Sequence, residues 1–246
     1  MIRGPSRHVF GARRVIQVQS LSFGQFADIE PLNPAFASGS RKLRVTVDTE
    51  IVPRVPDPRL VERLVGAFPG LTRHQCRAQP GEARRAAGTR ILLLESDSSA
   101  NQAHLLEHLM LEMLSALDHA PRLSGVTCAY GEPPERNDIF VECSEPESGG
   151  FAALLAVEAM NAALSAEPLG PLYPDVVHCT AILRSGPEGP WSARWLAARA
   201  GIPADRAATA LEFLARVRLA EPEDYTMNFS GEPLYRFVGA CEPGAN

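Results

Sequence analysis

The sequence lacks any apolar run long enough to cross a membrane. Stretches such as residues 91–94 are far shorter than the roughly 18 residues that a spanning helix needs. The N-terminal residues include several arginines but no apolar core of a signal peptide, so we expect no secretion signal. An excess of positive charge is also missing, since 24 Lys and Arg stand against 29 Asp and Glu. These absences argue against a membrane protein and against a protein that coats nucleic acid.

Cysteine is scarce and never occurs in C-x-x-C spacing. The five cysteines are scattered along the chain, at Cys76, Cys128, Cys143, Cys179 and Cys241. An odd number without close pairs is typical of free thiols in a reducing compartment. We therefore expect a cytoplasmic protein with neither a thiolate zinc site nor a cysteine nucleophile.

The composition that remains is that of an ordinary globular protein, with 45% hydrophobic and 22% charged residues. Up to residue 168, segments with alternating apolar residues are interspersed with segments of helical periodicity. The strongest helix is predicted over residues 98–117, and two strands are predicted around the turn at residues 132–137. The pattern predicts an α+β domain over residues 1–168, with a mixed sheet and helices packed on it.

A different pattern follows the Pro- and Gly-rich residues 167–174, which predict a linker. The predicted elements are three helices and two strands, over residues 175–184, 192–200, 204–217, 219–221 and 235–238. Gly201 lies where the turn between the second and third of these helices belongs. This order is typical of a winged helix, so we expect a small winged-helix-like domain over residues 169–246.

The charge of this C-terminal segment helps to decide between a protein and DNA as its partner. Residues 171–246 carry seven Arg, no Lys and nine acidic residues. The predicted third helix and its end mix both signs, with Arg206, Arg216, Arg218, Asp205 and Glu212. DNA binding needs a basic face that neutralises phosphates. The balance therefore favours a protein contact or self-association, and DNA binding stays open as the less favoured alternative.

One group of residues has a spacing that indicates a functional site. His104, Glu107 and His108 form an H-x-x-E-H within the strongest predicted helix. Positions i, i+3 and i+4 share one helix face, so both imidazoles can hold one metal ion beside the carboxylate. This is the inverted zincin arrangement, in which Zn²⁺ lowers the pKa of a bound water toward about 7 and the glutamate is the general base. We expect His104 and His108 as zinc ligands and Glu107 as the catalytic base.

The rest of this helix is apolar on nearly every side. The apolar residues are Leu105, Leu106, Leu109, Met110, Leu111, Met113, Leu114 and Leu117. This pattern predicts a buried helix, where each polar group without a partner would cost about 1–3 kcal/mol. A bound metal ion or an open cleft would give His104, Glu107 and His108 the partners that they need. If the helix instead lay at the surface, water would hydrate these side chains. The other histidines, among them His74 and His178, are interpreted as packed or solvated.

An inverted zincin site needs a third protein ligand, usually a distant glutamate on another helix. The candidates are Glu142, Glu145, Glu147 and Glu158. Glu147 lies at the predicted start of the next helix, from which its side chain could turn back toward the first. A carboxylate that simply faces the helix dipole explains the same position. Spacing alone leaves the choice open.

Three motifs together resemble the N-terminal domain of cyanophycin synthetases. They are HLLEHLMLEML at residues 104–114, GVTCAYG at 125–131 and FVECSEPESGG at 140–150. In that family a similar H-x-x-E-H helix precedes a glycine-bearing strand, a second strand and an E-x-x-G helix start. The resemblance covers about residues 12–165. It implies a metallopeptidase-like domain with His104 and His108 as ligands, Glu107 as the base and Glu147 as the third ligand.

The resemblance also implies an activity. In some members of the family this domain cleaves a polymer with a poly-aspartate backbone and arginine on its side chains. No phosphate loop of the GxxxxGK[ST] type is present, so ATP-driven polymer synthesis is not expected. We expect a zinc-dependent peptidase or amidase on a peptide or isopeptide-type substrate, cyanophycin-like or from a peptide biosynthetic pathway. The alternative is a non-catalytic adaptor or regulator that uses the winged-helix domain for protein or DNA contact.

Overall fold

A computed structural model describes residues 15–33, 35–37, 39–49, 59–76, 89–90, 99–118, 123–167, 169–186, 189–217, 219–227 and 232–238. The strands are β1 (Ile16–Gly24), β2 (Lys42–Thr49), β3 (Gln75–Cys76), β4 (Thr89–Arg90), β5 (Gly125–Ala129), β6 (Arg136–Glu142), β7 (Trp191–Ser192), β8 (Ala220–Met227) and β9 (Pro233–Phe237). The α-helices are α1 (Arg59–Ala67), α2 (Ser99–Asp118), α3 (Pro146–Leu164), α4 (Leu172–Ser185), α5 (Ala193–Ala200) and α6 (Ala204–Arg216). None of these helices combines the length and apolarity that crossing a bilayer requires.

The main sheet has four strands, in the order β1-β2-β6-β5. The helices and antiparallel sheets confirm the α+β class, but the expected mixed sheet is wrong for the described strands, because every pair is antiparallel. Strands β2 and β5 do run in the same direction. Since β6 lies between them, strands of like direction are not neighbours, and no parallel pair forms.

Helix α2 is the central element of the structure. It contacts β2, β5 and β6 of the main sheet and packs against α3 and α4. Its large side chains are almost completely buried, among them Leu105, Leu106, Leu109, Met110 and Leu114. A helix that is apolar on nearly every side needs cover on every side, and here the sheet and two helices supply it. Any polar side chain on α2 therefore lies close to another element.

A short segment after α1 approaches α2 closely. Helix α1 ends at Ala67, and a 3-10 helix over Pro69–Arg73 contacts α2. At Gly70 the approach leaves no space for a side chain, since a Cβ there would lie 1.8 Å from Oε1 of Glu112. This segment ends at His74, which is thereby placed beside α2.

The C-terminal part of the described chain folds around α4, α5 and α6, with a small sheet in the order β7-β9-β8. Helix α5 is capped at its N-terminus by Ser192, whose hydroxyl accepts a hydrogen bond from the backbone N–H of Trp195 at 3.2 Å. It ends at Gly201, whose φ of +66° is the left-handed conformation that favours glycine. Because α4 packs against α2, the buried apolar residues of both parts of the chain form one continuous cluster.

Candidate metal centre

Helix α2 brings the three predicted site residues together on the side that contacts β5. Nε2 of His104 lies 3.1 Å from Nε2 of His108. One ligand atom from each of these residues and one carboxylate oxygen of Glu107 all lie within 4.8 Å of one another. Glu107 and His108 are each 4% exposed. The stripe is therefore a buried cluster, and the alternative of a solvated stripe at the surface is wrong.

Strand β5 holds Glu107 in place. The hydroxyl of Thr127 donates a hydrogen bond to Oε2 at 2.6 Å. The other oxygen lies close to Gly125, where an added Cβ would approach it to 2.8 Å and push the carboxylate aside. Burial raises the pKa of Glu107 to about 7, while the Thr127 hydrogen bond lowers it to a smaller extent. At neutral pH this carboxyl group can both accept and return a proton.

The two imidazoles are held in the form that binds metal ions. Burial lowers the pKa of His104. Burial also lowers the pKa of His108 to about 3, and the neighbouring His104 and His74 add to this effect. Both rings are therefore neutral at pH 7, as coordination through nitrogen requires.

The spacing of the two rings suits a single ion. Neutral rings whose Nε2 atoms lie 3.1 Å apart must share either a proton or a cation. Two nitrogens bound to one tetrahedral zinc at about 2.0–2.1 Å lie roughly 3.3 Å from each other. Two imidazoles with a carboxylate beside them therefore fit zinc, and they also suit other divalent ions that accept nitrogen and oxygen ligands.

Two further residues extend the cluster. Nδ1 of His74 lies 3.1 Å from Nδ1 of His108, and Nε2 of His74 lies 3.0 Å from Oε2 of Glu112. The sequence interpretation missed both. Glu112 follows His108 by four residues, as His108 follows His104, so the helical stripe could have identified it. His74 carried no such signal, because only the close approach of the segment after α1 brings it to α2.

The described structure does not bring any of the four third-ligand candidates into this group. Glu142 accepts a hydrogen bond from the Ser40 hydroxyl at 2.7 Å, and Glu145 forms an ion pair with an arginine of α4. Glu147 is half-buried in the first turn of α3, and Glu158 lies further along the same helix. The assignment of Glu147 as the third ligand stays a prediction.

Comparison with known proteins adds no assignment to this geometry. No family model, curated protein or solved structure matches the chain. The interpretation of the site therefore depends on the contacts and burial of its own residues.

Proposed function

We propose that the chain is a metal-dependent hydrolase of the peptidase or amidase type, with zinc as the ion. The observation that carries the proposal is the convergence of His104, Glu107 and His108 within a buried cluster, with ligand atoms no more than 4.8 Å apart. Buried polar groups are expected to have partners, and a cation held by the two imidazoles beside the Glu107 carboxylate would supply one. The substrate class that we propose is a peptide or isopeptide bond.

The roles of the residues follow from their positions. His104 and His108 would hold the ion through Nε2. A zinc ion held there would polarise a carbonyl and lower the pKa of a water molecule. Glu107 lies beside these ligands, where it would accept a proton from the attacking water and pass it to the leaving amine. Thr127 keeps one carboxylate oxygen in place, which limits the orientations that Glu107 adopts.

The resemblance to the N-terminal domain of cyanophycin synthetases belongs to this proposal. It is supported by the order of elements, in which the glycine-bearing β5 follows the H-x-x-E-H helix and Glu147 begins α3. It would make a cyanophycin-like polymer, or a peptide from a biosynthetic pathway, the substrate. Glu147 would then complete the site by turning toward α2.

The metal content of the purified protein tests the proposal. We expect about one equivalent of zinc per chain, lost in His104→Ala and retained in His178→Ala, which removes an exposed histidine of α4. Glu107→Gln should retain the metal while its rate of peptide or isopeptide hydrolysis falls by about 100-fold or more. Less than about a tenth of an equivalent, unchanged by His104→Ala, would rule out the metal centre.

A second function is favoured by the C-terminal fold. We propose that residues 169–246 form a winged-helix-like domain that contacts a protein or a second copy of the chain. The order α4-β7-α5-α6-β8-β9 and the sheet order β7-β9-β8 support this fold. Four of its arginines are already in ion pairs, namely Arg184 with Glu145, Arg194 with Glu232, Arg206 with Asp175 and Arg236 with Glu223. Arginines held in this way are poorly available to phosphates, which argues against DNA.

A further inference from the structure

We propose that His74 and Glu112 are positioning residues for His108, which they hold in the tautomer that presents its Nε2 lone pair toward His104 and the ion. This inference rests on the proposed function, because it concerns how the same site is prepared for a metal. The three side chains form a continuous chain of contacts. His74 lies in the middle, with one ring nitrogen 3.1 Å from His108 and the other 3.0 Å from Glu112.

The positions of the protons follow from the donors and acceptors along this chain. An ionised carboxylate only accepts hydrogen bonds, so Nε2 of His74 carries a proton toward Glu112. In neutral His74 the other nitrogen, Nδ1, is then an acceptor. That acceptor faces Nδ1 of His108, which therefore carries the proton of its own ring. The lone pair of His108 is then on Nε2, which faces Nε2 of His104 at 3.1 Å.

Metal binding through Nε2 of His108 requires this tautomer, with the proton on Nδ1. A histidine ligand commonly donates its other ring N–H to a carboxylate or a carbonyl, which fixes the tautomer and the orientation of the ring. Here an additional imidazole, His74, stands between the ligand and the carboxylate.

Glu112 lies between the backbone at Gly70 and a cavity. Its carboxylate lies over Gly70, where a Cβ would come within 1.8 Å of Oε1 and 2.6 Å of Oε2. It is 25% exposed and borders a cavity of about 270 Å³ between the end of α1, α2 and α4. A change at Glu112 therefore meets open space on one side and is not expected to disrupt the core.

The tautomer is measured first, on metal-free protein at pH 8. Long-range ¹H–¹⁵N spectra of histidine-labelled protein report which nitrogen of each ring carries the proton. We expect His108 protonated on Nδ1 and His74 on Nε2. In Glu112→Leu the acceptor is lost, and His108 should populate both tautomers, whereas Glu112→Gln keeps an oxygen acceptor and should restore the wild-type pattern.

Zinc affinity is measured second, by competition with a chromophoric chelator. Glu112→Leu should bind zinc about 10- to 100-fold more weakly than wild type, and Glu112→Gln should recover most of this loss. Gly70→Ala displaces the Glu112 carboxylate without changing any ring and should weaken binding about 10-fold. Its matched control is Gly66→Ala in α1, where an added Cβ meets nothing within 4 Å and binding should be unchanged.

The two proposals fail in different ways. If wild type takes up no zinc, the metal centre is wrong, and the spectra alone then decide whether His74 and Glu112 set the tautomer of His108. If wild type binds zinc and Glu112→Leu and Gly70→Ala bind it equally well with unchanged spectra, the positioning role is wrong and the metal centre stands. A His108 protonated on Nε2 in the metal-free wild type would also overturn the positioning role.

Discussion

Glu107 is a carboxyl group that the fold places where its charge is unfavourable. Burial raises its pKa from 4.5 in the unfolded chain to about 7 in the folded one, so the folded state binds the proton more tightly. Without a metal ion, stability is therefore lost as pH rises from about 4.5 to 7, and the full loss persists above that range. The charge becomes favourable only when a cation neutralises it.

This behaviour predicts how Glu107→Gln changes stability. In the presence of a chelator at pH 8, the variant should be more stable than wild type by roughly 3 kcal/mol, because burial raises the pKa of Glu107 from 4.5 to about 7. Below about pH 4.5 the difference should vanish, since both side chains are then neutral. Denaturant unfolding at several pH values measures both.

A change at Thr127 tests the cause. Thr127→Val removes the hydroxyl that favours the charged carboxylate, so it should make the loss of stability toward high pH larger. Parallel stability curves for wild type and Glu107→Gln across this pH range would contradict the burial of an ionisable carboxyl group.

The site residues differ in how far the sequence could predict them. His104, Glu107 and His108 were predictable because a helix alone brings positions i, i+3 and i+4 together. Thr127 was not, because it meets Glu107 only through the packing of β5 against α2. His74 likewise depends on a loop trajectory that leaves no periodic pattern. Contacts within one helix can be predicted from the spacing of residues in the sequence, whereas contacts between distant segments depend on the whole fold.

At the scale of elements, the strand β7 and the helix α5 meet through two tryptophans. Trp191 in β7 is 8% exposed, and its ring stacks on that of Trp195 with centroids 3.9 Å apart. Trp191 also pairs with Tyr235 of β9 across the small sheet. Trp191 therefore links the hairpin of β8 and β9 to helix α5, in addition to the contacts of β8 with α6.

This arrangement predicts unequal effects for the two tryptophans. Trp191→Ala should lower the free energy of unfolding by about 3–5 kcal/mol, because it leaves a cavity under the hairpin. Trp195→Ala, whose side chain is only half-buried, should cost about 1 kcal/mol, chiefly through the lost ring contact. Far-UV circular dichroism in denaturant compares them. Equal losses would show that Trp191 does not anchor the hairpin.

The helices and strands were largely predictable from the sequence, but the pairing of the strands in the sheets was not. Helical periodicity and capping residues such as Ser192 and Gly201 mark the C-terminal helices. Strand β7, with two residues, is too short for any alternating pattern to reveal. The mixed sheet was wrong because strand order is decided by long-range pairing, which placed β6 between β2 and β5.

At the scale of the whole molecule, charge decides between the partners proposed for residues 169–246. We expect no salt-dependent binding of a random 30-base-pair duplex at about 10 μM protein, because four of the seven arginines in this segment are paired with carboxylates and its acidic residues outnumber the basic ones. Fluorescence anisotropy at two salt concentrations measures this. Replacing Glu223 and Glu232 by Gln releases Arg236 and Arg194 and should raise the affinity at low salt. Tight binding by the wild type would instead make DNA the partner.

Helix α2 also connects the two parts of the chain. Met113 and Ala116 of α2 line the same cavity as Val177 and Ala181 of α4. A fragment that ended at residue 168 would expose this apolar side of α2 to solvent, and such a surface promotes aggregation. Truncating the protein within the Pro-rich residues 167–174 is therefore expected to destabilise helix α2, which carries His104 and His108.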